Sequence, residues 1–139
     1  MGALTQISRR VRWADTDATG RLHFPRIFDI VQEAEAELLR SIAWPVGLRE
    51  SKYDLPRVNV ECSFHRMLMH DTPFLVRLRV GQLGRSSIRY EFDILDAENE
   101  VAIRGTMTVV VLLNGRPAEI PESLRLGLSG DSARGGQAP

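Results

Sequence analysis

One helical stretch standing among strand-like ones decides what this chain can fold into. From Phe24 the apolar residues Ile27, Phe28, Val31, Ala34, Leu38, Leu39 and Ile42 recur at steps of three and four, the spacing of an inward helical stripe. Asp29, Gln32, Glu33, Glu35, Glu37 and Arg40 take most of the remaining circumference. Pro25 suits the first turn, because its missing N–H is not needed there and its fixed φ already matches a helix. Trp44-Pro45 closes the stretch, since a residue before proline is pushed out of helical geometry. Ahead of it lies a first strand, with Ile7, Val11 and Trp13 on one parity and Ser8, Arg10 and Arg12 on the other. Beyond it, after an irregular connection holding Gly47 and Pro56, Val58, Val60, Cys62 and Phe64 alternate with polar residues. Three further strands repeat the pattern through Phe74 to Val80, Ile88 to Ile94 and Val101 to Val111, with Gly81 to Gly84 and Asp96 to Asn99 as hairpin connections. A single helix must then cover the apolar face of an antiparallel sheet, which makes the chain α+β with one long helix packed on a curled sheet. The pattern alone leaves several topologies open.

The length of 139 residues fits one domain, assigned to residues 1–128, and the polar, glycine-rich run 129–139 lacks the apolar residues to offset ordering entropy and reads as a loose tail. With 18 basic and 18 acidic residues the formal net charge is +0, so no global field draws nucleic acid or an anionic membrane, and neither is expected as a partner. The single cysteine, Cys62, forms no intrachain disulfide and no metal cluster, which fits a reducing compartment. Neither an export signal nor a membrane span is visible in the sequence, and cytoplasmic residence is expected.

Chemistry concentrates in Asp15-Thr16-Asp17-Ala18-Thr19-Gly20-Arg21-Leu22-His23-Phe24-Pro25, which sets two carboxylates in a turn directly before the helix. The unpaired N–H groups of the first helical turn, with the positive end of the helix dipole behind them, would form an anion site beside two acids. A carboxylate there suits attack on an acyl carbonyl: direct attack gives a mixed anhydride, and base action delivers hydroxide from water. Spacing also fits a structural role, in which Asp17 caps the turn through its side-chain oxygen.

The segment Val11-Arg12-Trp13-Ala14-Asp15-Thr16-Asp17-Ala18-Thr19-Gly20 followed by His23-Phe24-Pro25 resembles the active-site segment of hot-dog-fold acyl-CoA thioesterases of the 4-hydroxybenzoyl-CoA thioesterase type. The likeness runs over roughly Leu4 to Leu128, through Phe64 to Phe74, where His70-Asp71 stands for a usual Gly-Asp, then Gly81 to Ile88 and Gly115 to Arg125. It implies the hot-dog fold, a sheet wrapped around one long helix, and an acyl-CoA substrate with no cofactor or metal. It further implies a homodimer or homotetramer in which two subunits join their sheets edge to edge and share the active sites. Asp17 matches the family's catalytic carboxylate, and the backbone N–H of Phe24 matches its oxyanion donor. Asp15 holds the turn, and Gly20 supplies a positive φ or a close approach. A catalytically silent hot-dog protein that binds an acyl thioester or a protein partner is the rival reading, because fold does not fix function.

The remaining candidates are weighed against ordinary structural roles. His23 stands where relatives carry an aromatic residue, and a lone histidine among apolar neighbours is more often packed than catalytic. His65 and His70 lack metal-ligand spacing. A second hot-dog lineage uses a helix glutamate, so Glu33, with Glu35 and Glu37 beside it, is held in reserve. Coenzyme A carries phosphates, and Arg85 with Ser86 and Ser87 is the proposed site for its nucleotide end, ahead of Arg89 and Arg104. Trp13, Phe24, Phe28 and Phe64 are candidates for an acyl pocket, with plain core packing as the alternative.

Overall fold

The computed structural model of the chain describes residues 2–44 and 52–130. Strand β1 (Leu4–Arg10) leads through a short 3-10 turn (Trp13–Asp15) and the acidic loop into helix α1 (Arg26–Ser41). Then come β2 (Tyr53–Asp54), β3 (Arg57–Phe64), β4 (Pro73–Leu83), β5 (Ser87–Leu95), β6 (Val101–Val110), β7 (Leu112–Leu113), β8 (Arg116–Pro117) and helix α2 (Glu122–Ser129). The main sheet is antiparallel in the order β1-β4-β5-β6-β3, and β2-β7-β8 form a smaller one.

Register explains the core. Val76 faces Ile94, Leu78 faces Phe92, Tyr90 faces Met107 and Ile88 faces Val109, so one face of three neighbouring strands is apolar and buried. Helix α1 lays Ile27, Ile30, Val31, Ala34, Leu38 and Leu39 on that face and makes its main contacts with β1 and β4. Each of these side chains other than Ala34 contributes about 1.5–3 kcal/mol when fully buried. Gly105 on β6 is required by close approach, because a Cβ there would strike Glu61 O, the Phe92 ring and Cys62.

The sequence expectations hold for α1, except that Phe28 of the expected inward stripe is exposed, and for the strand succession, with four further differences. The first strand stops at Arg10, and Trp13 turns outward in the 3-10 turn, 78 % exposed, so it is neither strand nor pocket. A second helix, α2, joins the core through Leu124 and Leu128, with Ser129 as its last residue and Gly130 (φ 89) as its left-handed cap. Residues 131–139 of the expected tail, and Pro45 and Gly47, lie outside the described residues. The β4–β5 turn falls at Gly84-Arg85-Ser86, later than expected. Finally, the apolar face of β3 is open at both ends: Val58 and Phe64 are exposed because β3 is an edge strand and α1 packs mainly on β1 and β4.

Candidate active site

The acidic loop is built by backbone bonds that tie it to the β3–β4 connection. Leu22 N donates to Leu68 O at 2.8 Å and His70 N to Gly20 O at 2.9 Å, while Arg21 and Met69 form an antiparallel bridge. Gly20 sits at φ 80 with open space where a Cβ would go, so its role is conformational. Asp15 is buried and holds the loop from below: Arg12 donates to it from Nε at 3.0 Å, Nη2 at 2.9 Å and its backbone N at 3.2 Å, and Arg26 lies 3.8 Å away. The Arg12 hydrogen bonds lower its pKa against the opposing effect of burial. Asp15 is committed to structure, as the sequence suggests.

Asp17 is exposed and differently held. Its Oδ1 accepts from Thr19 Oγ1 at 2.5 Å, Thr19 N at 2.8 Å and Arg21 N at 3.4 Å, and these bonds, the Thr19 hydroxyl first, hold the carboxyl below its ordinary pKa. Every one of those bonds falls on Oδ1, so Oδ2 remains for other work. Asp17 lines a cavity of about 160 Å³ with Arg21, Leu22, Phe24, Phe64, Arg66, Met67, Leu68 and Ile103.

The helix start departs from expectation. Arg26, Ile27 and Phe28 donate to His23, Phe24 and Pro25 carbonyls at 2.9, 3.2 and 3.2 Å, because Pro25 is already in αR geometry (φ −65, ψ −19) and the chain closes i→i−3 turns before the helix proper. There is no bank of free donors. Among the described residues the Phe24 N–H makes no hydrogen bond, and Phe24 is in the cavity wall.

The other predicted residues scatter. Phe64 joins Phe24 in the cavity, whereas Trp13 and Phe28 do not line it. His23 is exposed, edge-on to Phe24 at 5.8 Å, and His70 packs edge-on to Trp13 at 5.5 Å. Glu33 is exposed beside Arg9, and Glu37 pairs with Arg40. Arg104 is bound to Asp93 at 2.7 Å. Arg85, Ser86 and Ser87 lie at the far end of the sheet, strapped down by Ile120 N to Arg85 O at 2.9 Å and Val111 N to Ser86 O at 2.7 Å. The full length of β4, on the order of 30 Å at 3.3 Å per residue, separates that turn from the acidic loop in one chain.

Glu35, set by the sequence on the polar side of the helix and beside Glu33 as a reserve glutamate, is instead on its buried face. Its carboxylate is buried in the helix–sheet core against Arg57 at the start of β3, and burial pushes its pKa up despite that cation. Tyr90 lies beside it, and neither Glu35 Oε2 nor the Tyr90 hydroxyl makes a well-formed hydrogen bond. A signal existed: Glu35 stands four residues after Val31 and three before Leu38, inside the apolar stripe. Among the described residues no three His, Cys, Asp or Glu side chains gather as a metal site, and no helix is long and apolar enough to cross a membrane.

Residues 11–128 match the family model of the thioesterase-like superfamily. The chain belongs to that superfamily. As a member of the thioesterase-like superfamily it is a thioester hydrolase with the hot-dog fold expected from its sequence. It is 29% identical over 117 residues to a putative esterase of Aquifex aeolicus, covering 84% of this chain and 91% of the relative. It is also 29% identical over 118 residues to a 1,4-dihydroxy-2-naphthoyl-CoA hydrolase of a Synechococcus strain, covering 80% and 79%. The crystal structure of a 1,4-dihydroxy-2-naphthoyl-CoA thioesterase from Synechocystis superposes with a TM-score of 0.84 at 21% identity, covering 91% of this chain and 96% of that one, a likeness of fold.

Proposed function

We propose that the protein hydrolyses acyl-CoA thioesters to a carboxylic acid and free coenzyme A, with Asp17 as base or nucleophile and the Phe24 N–H as the donor to the thioester oxygen. The observation that carries this reading is that Asp17 and Phe24 line one small, mostly apolar cavity while the Phe24 N–H makes no hydrogen bond among the described residues. An acid below its ordinary pKa is ionised at neutral pH, as either role requires. A donor aimed at the developing oxyanion contributes about 3 kcal/mol to the transition state. A relative named for a CoA thioester supports coenzyme A as the thiol carrier.

The open apolar edge at β3 is the place for a second copy. A two-fold axis normal to the sheet would pair β3 with its twin antiparallel, bringing the Arg57 end of one strand to the Phe64 end of the other. The partner's Arg85 turn then approaches this chain's Asp17, although the two are remote within one subunit. On this reading Arg85, Ser86 and Ser87 serve the nucleotide end in trans, in at least a dimer. Two inactive parents test it. Asp17→Asn and Arg85→Ala subunits, mixed under exchange and assayed at low substrate across benzoyl, short-chain and long-chain acyl-CoAs, should regain one intact site in each mixed dimer, about half of the activity of an unmutated dimer. A mixture no better than the sum of its parents would mean both residues act within one subunit, or that Arg85 plays no part.

A further inference from the structure

Arg21 stands in the wall of the Asp17 cavity, exposed and without an ion-pair partner for its guanidinium among the described residues. Its backbone is fixed from both sides: Asp17 N donates to Arg21 O at 2.8 Å, Arg21 N reaches Asp17 Oδ1, and Arg21 bridges Met69. Its backbone is therefore fixed beside Asp17. Arg66, the other cation of the wall, is engaged by Asp96 at 3.3 Å and Glu98 at 3.5 Å, whereas the Arg21 guanidinium has no hydrogen-bond or ion-pair partner among the described residues. Nor does Asp17 need it as a counter-ion, since the Thr19 hydroxyl and amide are the main supports of that carboxylate and the Arg21 charge is the least of them.

The scissile part of an ordinary acyl thioester is neutral, and the phosphates of coenzyme A sit beyond the uncharged pantetheine arm. A free guanidinium at this point matches a negative group on the acyl side. Guanidinium and carboxylate pair through two parallel hydrogen bonds, and the pairing gains strength where apolar walls keep water out. The cavity within one subunit, about 160 Å³, has room for a short chain. Resting on the thioesterase reading above, we propose that Arg21 binds a carboxylate on the acyl group, so that the preferred substrates are short coenzyme A monothioesters of dicarboxylic acids.

The experiment compares kcat/KM for carboxyacyl-CoAs with that for neutral acyl-CoAs of the same length, so that general losses cancel in the ratio. The parent protein should favour the carboxylated member at least about tenfold, the scale of one charge-assisted hydrogen bond. Arg21→Gln should bring the ratio close to one, and Arg21→Lys should restore part of it. Repeating the pair with acyl-pantetheine thioesters separates the two sources of negative charge. A preference that persists places the anion on the acyl group; loss of the Arg21 effect with pantetheine would assign the residue to coenzyme A phosphates and overturn the proposal. A parent that hydrolyses both substrates equally well also overturns it while leaving the thioesterase reading intact. Should no thioester be hydrolysed, that reading fails, and binding of matched thioether analogues by calorimetry decides Arg21 by the same ratio.

Discussion

Asp17 and Glu35 carry the same functional group, and their surroundings drive it in opposite directions. Asp17 is exposed, takes three donors on one oxygen and is a stronger acid than a free aspartate. Glu35 is buried beneath the helix, and desolvation outweighs Arg57 to make it a weaker acid. A search guided by buried, proton-holding carboxyls in the core would choose Glu35. We assign the chemistry to Asp17 because, of the two, it is the one that lines a cavity with Phe24, whose N–H makes no hydrogen bond among the described residues. Glu35 instead ties the middle of α1 to the first residue of the edge strand β3.

The sharpest way to break this division is to neutralise each acid in turn. Asp17→Asn should lower kcat by at least about 100-fold with the fold intact, the scale of losing a positioned base or nucleophile. Glu35→Gln should change kcat far less and register in stability instead, and Glu33→Gln should change little in either. Steady-state kinetics beside circular dichroism read all three. Near-normal turnover in Asp17→Asn, or collapse confined to a well-folded Glu35→Gln, would reverse the roles.

Much of this was legible beforehand, and the failures have physical causes. The stripe of α1 and the alternation of β4, β5 and β6 were plain because each element buries one full face. The closing helix α2 escaped notice: eight residues interrupted by Gly127 give little periodicity, and Gly127 is there because Ile42 packs against it. Trp13 was misplaced because Arg12 and Asp15 close a 3-10 turn, a side-chain interaction that parity cannot show. Asp17, Phe24 and Phe64 were found together in the cavity, but Arg21, Met67 and Leu68 arrive through the pairing of the acidic loop with the β3–β4 connection, a long-range contact without a local signal. Arg85 sits a sheet-length away for the same reason: sequence order says nothing of which end of the sheet a turn occupies.

A second prediction concerns the partner of the buried acid. Arg57→Ala leaves Glu35 without its cation, and removing one member of a buried pair should cost about 3 kcal/mol, limited by the readiness of Glu35 to take a proton. The pH dependence gives the sign. Glu35 has a folded pKa above its ordinary 4.5, so its proton-linked contribution is fully present below pH 4.5 and is lost as pH rises through the raised value. Asp17 is the reverse: its folded pKa is below the ordinary 3.8, so its contribution holds above that pH and is lost as pH falls through the lowered value. Urea titrations from pH 4 to 7 should therefore show the stability of the parent protein, relative to Glu35→Gln, falling as pH rises. A difference that stays flat would mean that the fold does not raise the Glu35 pKa.

The smallest effect tests how the buried acid is completed. Tyr90 is fully buried, its hydroxyl pushed well above the ordinary phenol pKa by burial and then by Glu35, yet it makes no well-formed hydrogen bond. An unmet buried hydroxyl costs the fold the desolvation of one polar group, so Tyr90→Phe removes a penalty while keeping the ring that packs the core. The expected outcome is a change within about 1 kcal/mol, on the stabilising side, with no change in kcat. If the hydroxyl instead shares a proton with Glu35 Oε2 in solution, removing it strands the carboxylate and costs about 1–3 kcal/mol. Combining Tyr90→Phe with Glu35→Gln separates the cases. Additive losses leave the two groups as mere neighbours, whereas strong coupling would make Tyr90 the second holder of Glu35, and the contrast with the hydrogen-bonded Asp17 would then lie in burial alone.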